Sequence, residues 1–255
     1  MTLIIAEFKK WKRNKMLWGL FTLAFLMGLY AIERAYSISR SSYIMDSFGD
    51  LYTLAFKNLT GLFLPISLGL IATTLFFEEH KNNTWKEILT IPLSKTQIYI
   101  SKVIVIIILS VSLCLFTFVF CVIGGAITGN FPDFNSHTIL QAVTLFLTGG
   151  ILIPVAMLPI VFLSIVSKSY VLPIGATLLY LFPAVLAPNY LMGVHPLISA
   201  MGIYAKTSAA ATEMVEFWGQ GITLTITPLV CAFSLLLIGV VSMMASIAVL
   251  KKRTY

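Results

Sequence analysis

Residues 76–128 read FFEEHKNNTWKEILTIPLSKTQIYISKVIVIIILSVSLCLFTFVFCVIGGAIT. The stretch has two halves. Residues 76–102 carry charges, amides and one proline, whereas residues 103–128 hold no Asp, Glu, Lys, Arg or His. A helix that crosses the hydrocarbon core of a bilayer needs about 20 apolar residues. The second half meets that length and is apolar on every face, unlike the one-sided helix of a soluble core. The same composition holds outward along the chain, which has 255 residues, 58% of them apolar and 11% charged. Ordinary soluble domains carry about 25% charged residues. Six stretches are long and apolar enough: about 16–32, 59–77, 103–128, 139–167, 170–187 and 222–250. Alternating strands of about ten residues, the mark of a membrane β-barrel, are absent. The fold expected is an all-α membrane protein of six transmembrane helices in a single domain spanning 1–255.

The net charge of +7 could point to nucleic acid, but its distribution points to topology. With the N-terminus inside, 13 basic residues fall in cytoplasmic segments, among them Lys9, Lys10, Lys81, Lys95, Lys102, Lys251 and Lys252. Only Arg34, Arg40, Lys57 and Lys206 fall outside. That bias puts both termini in the cytoplasm and makes the lysines topology signals. No nucleic-acid partner is expected. The first apolar run exceeds the 7–15 residues of a signal-peptide core, so residues 1–32 read as retained. No span holds an acid or base at its middle, which argues against proton relays and voltage sensing.

Residues 1–15 place Ile4, Phe8 and Trp11 at i, i+4 and i+7, an amphipathic helix for the inner leaflet with its Trp at the headgroups. Residues 33–56 read as a polar outer loop, and 129–138 as a turn. Spans four and five, joined at "SKSY" (167–170), should form an antiparallel hairpin. Span four should bend or break, since it contains Gly149, Gly150, Pro154 and Pro159. Residues 189–221 begin with an uncharged run broken by Gly193, Pro196 and Gly202. A seventh span there would put Lys251, Lys252 and Arg253 outside, so the segment reads as a re-entrant element and a candidate gate. Cys114, Cys121 and Cys231 all fall in spans and read as packing residues.

The polar half of the opening stretch is the largest inner loop, 78–98. Thr84 and Glu87 form a T-x-x-E capping box, which starts a short helix. Trp85, Ile88 and Leu89 give that helix one apolar face, and Pro92 ends it. Ser94 and Gln97 then form a second box, with Leu93 and Ile98 at the staple positions, and this box starts span three. A rigid, short amphipathic helix on the cytoplasmic face suits docking into a groove on a soluble partner. The alternative is a helix lying flat on lipid.

Glu79, Thr84, Ile88, Leu89, Pro92, Leu93, Ser94, Lys95 and Lys102 fit E-x-x-x-x-T-x-x-x-[IL]-L-x-x-P-[LIV]-[ST]-[KR] with a later Lys. In this the chain resembles permeases of ATP-binding-cassette transporters of the type-2 exporter family. The six spans and basic N-terminal helix extend the resemblance over the whole chain. It implies a coupling helix around Glu79, Thr84, Trp85, Glu87, Ile88, Leu89, Pro92 and Ser94, and a connecting helix bearing Ile4, Phe8 and Trp11. It implies a separate ATPase subunit that binds ATP and Mg, since this chain has no Walker A loop and takes no cofactor itself. It further implies a homodimer, or a pairing with a related permease, in a bacterial cytoplasmic membrane. The opening AEFKKWKRNK is most similar to permeases of bacitracin and lantibiotic self-protection, whose substrates are amphipathic peptides. Export of another peptide, a lipid or a polymer fits the same frame, and a non-transporting sensor or scaffold is the alternative class. No H-E-x-x-H or paired Cys/His spacing supports a metal site, so neither catalysis nor metal binding is expected.

Overall fold

Ser94 begins a helix as its capping box requires. Its Oγ accepts from the Gln97 amide at 3.2 Å, and the Gln97 Oε1 accepts from the Ser94 amide at 3.1 Å. The structure is a computed structural model that describes residues 2–11, 15–41, 47–81, 94–128, 131–167, 169–207 and 226–252. Among the described residues there are helices and turns but no strand. In chain order the helices are α1 (Thr2–Trp11), α2 (Lys15–Ser41), α3 (Phe48–Asn58), α4 (Leu64–Lys81), α5 (Lys95–Thr128), α6 (Ser136–Ala156), α7 (Leu158–Val166), α8 (Val171–Leu186), α9 (Pro188–Leu191), α10 (Pro196–Thr207) and α11 (Pro228–Lys252).

Five segments are long and apolar enough to cross a membrane: Lys15–Glu33, Phe48–Phe77, Lys95–Ile127, Ser136–Val166 and Pro228–Lys252. Val171–Leu186 is apolar but shorter, with 16 residues. Within an 18-residue apolar window of each segment, 72% of Phe48–Phe77 is buried, against 22% for Lys15–Glu33 and 28% for Pro228–Lys252. The long second segment is therefore central, and α2 and α11 lie on the outside. Their exposed side chains, such as Trp18, Leu229 and Phe233, are apolar, as a lipid-facing surface requires.

The polar loop expected over 33–56 is largely helical instead. Helix α2 runs on to Ser41, and α3 begins at Phe48 as the first turns of the second span. Two caps start α3. Ser47 and Asp50 exchange side-chain and backbone hydrogen bonds, and Asp133, 85 residues away, accepts from the Phe48 amide at 2.6 Å and the Gly49 amide at 3.0 Å. A carboxylate on the free N–H groups of a helix start is stabilised by both hydrogen bonding and the helix dipole.

Between α3 and α4 lies one wide turn, Leu59–Phe63, in which the Leu64 amide reaches back five residues to the Leu59 carbonyl. Pro65 is the cause. It has no N–H to give, and its ring would crowd the carbonyl four residues earlier in a regular helix. Span four breaks as its prolines require. Met157 leaves helical geometry at φ −88°, ψ 1°, and Pro159 sits in the first turn of α7, where a missing N–H costs nothing. The break redirects the Ile160 amide to the Met157 carbonyl, 3.0 Å away, and so removes the regular donor of the Ala156 carbonyl. The Tyr180 hydroxyl of α8 donates to that carbonyl at 2.8 Å. In a setting without water an orphaned carbonyl costs several kcal/mol, so this bond locks α8 onto the break. Side-chain hydroxyls elsewhere also tie helices together, as with Thr73 of α4 and Ser164 of α7 at 3.5 Å.

Candidate functional site

Lys102 lies about two turns inside α5 and is fully buried. Its Nζ donates to Glu7 Oε1 of α1 at 3.1 Å and to the Leu75 carbonyl of α4 at 3.1 Å, and it stands 5.4 Å from the centre of the Phe76 ring. One ammonium thus joins the N-terminal helix to both helices that flank the 78–98 loop. A buried ion costs several kcal/mol unless it is paired and hydrogen-bonded, and here it is both. The sequence marked Lys102 as a topology signal near the inner end of its span. The structure adds a buried pairing that the sequence did not show, because nothing adjacent in sequence reveals a partner 95 positions away.

Helix α1 forms as expected, but its apolar face has another destination. Ile4 and Phe8 are half-buried against the bundle, and Trp11 is buried at 4% exposure instead of lying among headgroups. The reason is geometric. The Glu7–Lys102 pair draws α1 against α5, and the face that carries Ile4, Phe8 and Trp11 turns with it. Lys95 Nζ donates to the Lys251 carbonyl at the end of α11 at 3.4 Å. Lys95, Lys102, Lys251 and Lys252 therefore gather at one end of the bundle, called the basic end below.

Of the residues expected to carry coupling, Ser94 caps α5 and Glu79 lies in the last turn of α4. Thr84, Trp85, Glu87, Ile88, Leu89 and Pro92 lie outside the described residues. The junction of α1, α4 and α5 was missed by sequence reasoning. Its one signal is an acid at position 7 in an otherwise basic N-terminal segment.

The candidate gate residues form a helix–turn–helix. Helix α9 ends, the chain turns at Gly193, and Pro196 opens α10. Gly193 has φ +82°, a left-handed geometry that only glycine adopts without strain. Gly202 lets α10 lie close on α11, since a Cβ there would sit 2.9 Å from Cys231 Sγ. His195 lies between the two helices with its ring 4.4 Å from that of Tyr180. Burial holds its imidazole below the usual histidine pKa, with a smaller opposing effect from the Tyr180 backbone.

Helix α10 also closes a small open cavity against the wide turn of the second span. Lys57, Thr60 and Pro65 line one side, and Ile153, Leu181 and Met201 the other. The Thr60 hydroxyl donates to the Phe56 carbonyl at 2.7 Å, and Tyr204 of α10 packs edge-on to Phe56 at 5.1 Å. Lys57 is the one charged residue lining the cavity among the described residues.

A profile of the family described as "ABC-2 family transporter protein" matches residues 3–184, most of the chain. The chain belongs to the ABC-2 transporter family. Within 103 residues it is 30% identical to the bacitracin transport permease protein BCRB of Bacillus licheniformis. That match covers 40% of this chain and 49% of the relative, so the chain spans about half the length of the curated relative it matches. As an ABC-2 family member with several apolar helices, the chain is a multi-pass protein of the cytoplasmic membrane.

Proposed function

We propose that this ABC-2 permease is the membrane subunit of an ATP-driven exporter that confers resistance to a membrane-active antimicrobial peptide of the bacitracin or lantibiotic type. The similarity to a bacitracin transport permease carries the reading. The basic end supplies its mechanical support. ATP and Mg would be bound by a separate ATPase subunit, which meets the helix expected at Thr84–Leu89. A push on that loop reaches α4 directly, reaches α5 through the Ser94 cap, and reaches α1 through the buried Lys102. The three helices then move as one lever, and the breaks at Met157 and Leu59–Phe63 are the places where the bundle yields. A second copy of the permease completes the pathway, with Gly193, Pro196 and Gly202 setting the geometry of its outer gate.

The test is expression with an ATPase of the same transporter class in a sensitive bacterium, scored against bacitracin, a lantibiotic and unrelated antibiotics. The expected result is raised tolerance to one peptide class, lost when Trp85→Ala and Glu87→Ala are combined. A permease that never retains an ATPase on purification, and that leaves peptide tolerance unchanged, overturns the reading.

A further inference from the structure

The turn between α9 and α10 lies at the end of the bundle opposite the basic end. Tyr170, just before α8, packs on Phe77 of α4 at 5.4 Å, and α8 then runs 16 residues, about 24 Å, away from it. Residues 188–195 follow, and few contacts anchor them. Met192 packs with Ile198 and Cys231 in a small apolar cluster apart from the main core. Gly193 turns the chain at φ +82°. His195 is the other anchor. Its ring lies 4.4 Å from that of Tyr180, and both its ring nitrogens are shut off from solvent. The Tyr180 hydroxyl in turn holds the Ala156 carbonyl at the break in span four.

A charge on His195 has no counter-ion among the described residues. Helices α6 to α11 contain no Asp or Glu. Steps of about 100° put His195, Ser199 and Gly202 on one face of α10, and Leu197, Met201 and Tyr204 on the opposite one. The first face meets Tyr180 of α8 and Cys231 of α11. The second meets Lys57 of α3 across the small cavity. Tyr190 of α9 points outward at 88% exposure, His137 lies in the exposed first turn of α6, and Lys206 stands eleven positions along α10. Asp50 and Asp133 are held at the start of α3. Burial therefore disfavours the imidazolium, and the opposing pull of the Tyr180 backbone is smaller. The Tyr180 face attracts a cation only weakly beside the hydration that the cation loses.

We propose that His195 is a proton-operated latch, and that a proton taken up by its imidazole lifts residues 188–195 off α8 and α11. The lifted form gives the ring to water and so binds the proton more tightly than the closed form. Lifting therefore grows as pH falls through about 6.5, the value of an exposed histidine. The movement takes Met192 off Cys231 and takes His195 off the tyrosine that pins the break in span four. The latch deepens the gate reading by naming what operates the turn at Gly193, and it rests on that reading for its role in transport. The movement itself needs neither ATPase nor substrate.

The experiment labels the three native cysteines of the full chain in nanodiscs of phosphatidylcholine, without an ATPase. The reagent is dithiodipyridine, applied between about pH 8 and about pH 5. Each cysteine is read by mass spectrometry, and its rate is divided by that of a free thiol with the same reagent at the same pH, which removes ordinary thiol ionisation. The relative rate at Cys231 is expected to rise below about pH 6.5, approaching tenfold per pH unit, the slope of one proton bound on opening. Cys114 and Cys121, buried in α5, should stay slow throughout, as they do not touch the turn. In His195→Gln the acid acceleration at Cys231 should vanish. His195→Phe, which keeps a ring on Tyr180 and takes no proton, should behave alike and serves if the amide loosens the fold. A relative rate at Cys231 that ignores pH, an acid acceleration that survives both variants, or an equal acceleration at all three cysteines overturns the latch. The labelling uses neither ATPase nor peptide, so its failure leaves the peptide-tolerance result standing, and the two readings fail separately.

Discussion

Replacing Lys102 by Met keeps the volume of the side chain and removes its charge. The hydrogen bonds to Glu7 Oε1 and to the Leu75 carbonyl vanish. The Glu7 carboxylate, whose Oε2 is already buried without a hydrogen-bond partner among the described residues, is left without its counter-ion. Breaking one side of a buried pair costs about 3–5 kcal/mol. Glu7 is 12% exposed, and α1 can lift to rehydrate it, so the lower end, about 3 kcal/mol, applies here. Glu7→Gln should cost less, about 1–2 kcal/mol, because an amide oxygen still accepts from the ammonium. The double variant Lys102→Met with Glu7→Leu removes both charges and should recover about 2 kcal/mol relative to the sum of its parts. The assay is reversible unfolding of the full chain in mixed micelles, with hydrogen exchange of the α1 amides alongside. Exchange in α1 should accelerate at least about tenfold in Lys102→Met and remain slow in the double variant. Strict additivity of the two substitutions, or unchanged α1 exchange, refutes the idea that one buried ammonium holds the N-terminal helix to the bundle.

Other expectations follow from single contacts. Asp133→Ala strips two donors at the start of α3 and should destabilise the chain by about 2–3 kcal/mol, with Asp133→Asn retaining about half, as read by thermal unfolding. Ser94→Ala should cost about 1 kcal/mol and raise exchange at the Gln97 amide without affecting the far end of α5. Gly193→Ala forces a side chain into φ +82° and brings its Cβ to 3.3 Å from Ile226, so a loss of about 1–2 kcal/mol is expected in the same unfolding assay. For His195 the folded pKa lies below the unfolded one, so the unfolded chain takes up the proton first as pH falls. Stability should therefore be flat above the usual histidine pKa of about 6.5 and decline below it, and His195→Gln should remove that decline.

Much of the fold is local in origin and was legible for that reason. Ser94 and Gln97 are three residues apart and cap each other, and Pro154 and Pro159 break the helix that contains them. What escaped the sequence depends on residues that meet from afar. The segment from Phe48 reads as polar loop because Asp50 and Lys57 interrupt it, yet Asp133 from another connection caps it into the second span. Lys102 reads only as a topology signal because its acid sits in α1. The cavity has no signature at all, since Lys57 and Tyr204 are brought together only by packing of α10. Pro65 announces a disturbance in its helix but does not say that the disturbance takes the form of a widened turn.

That widened turn also keeps a phase. Each residue of a helix advances the side-chain direction by about 100°. Leu59–Phe63 inserts extra backbone between two otherwise regular helices, and Phe48–Asn58 and Leu64–Lys81 are threads of one screw. Deleting a single residue there, Thr60 for instance, would close the wide turn to a regular one and leave the helices on either side in their present phase. Lys57 and Leu75 would keep their directions, and what would go is the opening of the helix ahead of Pro65. The extra residue of length leaves both ends of this helix facing the same interior while its middle accommodates a proline.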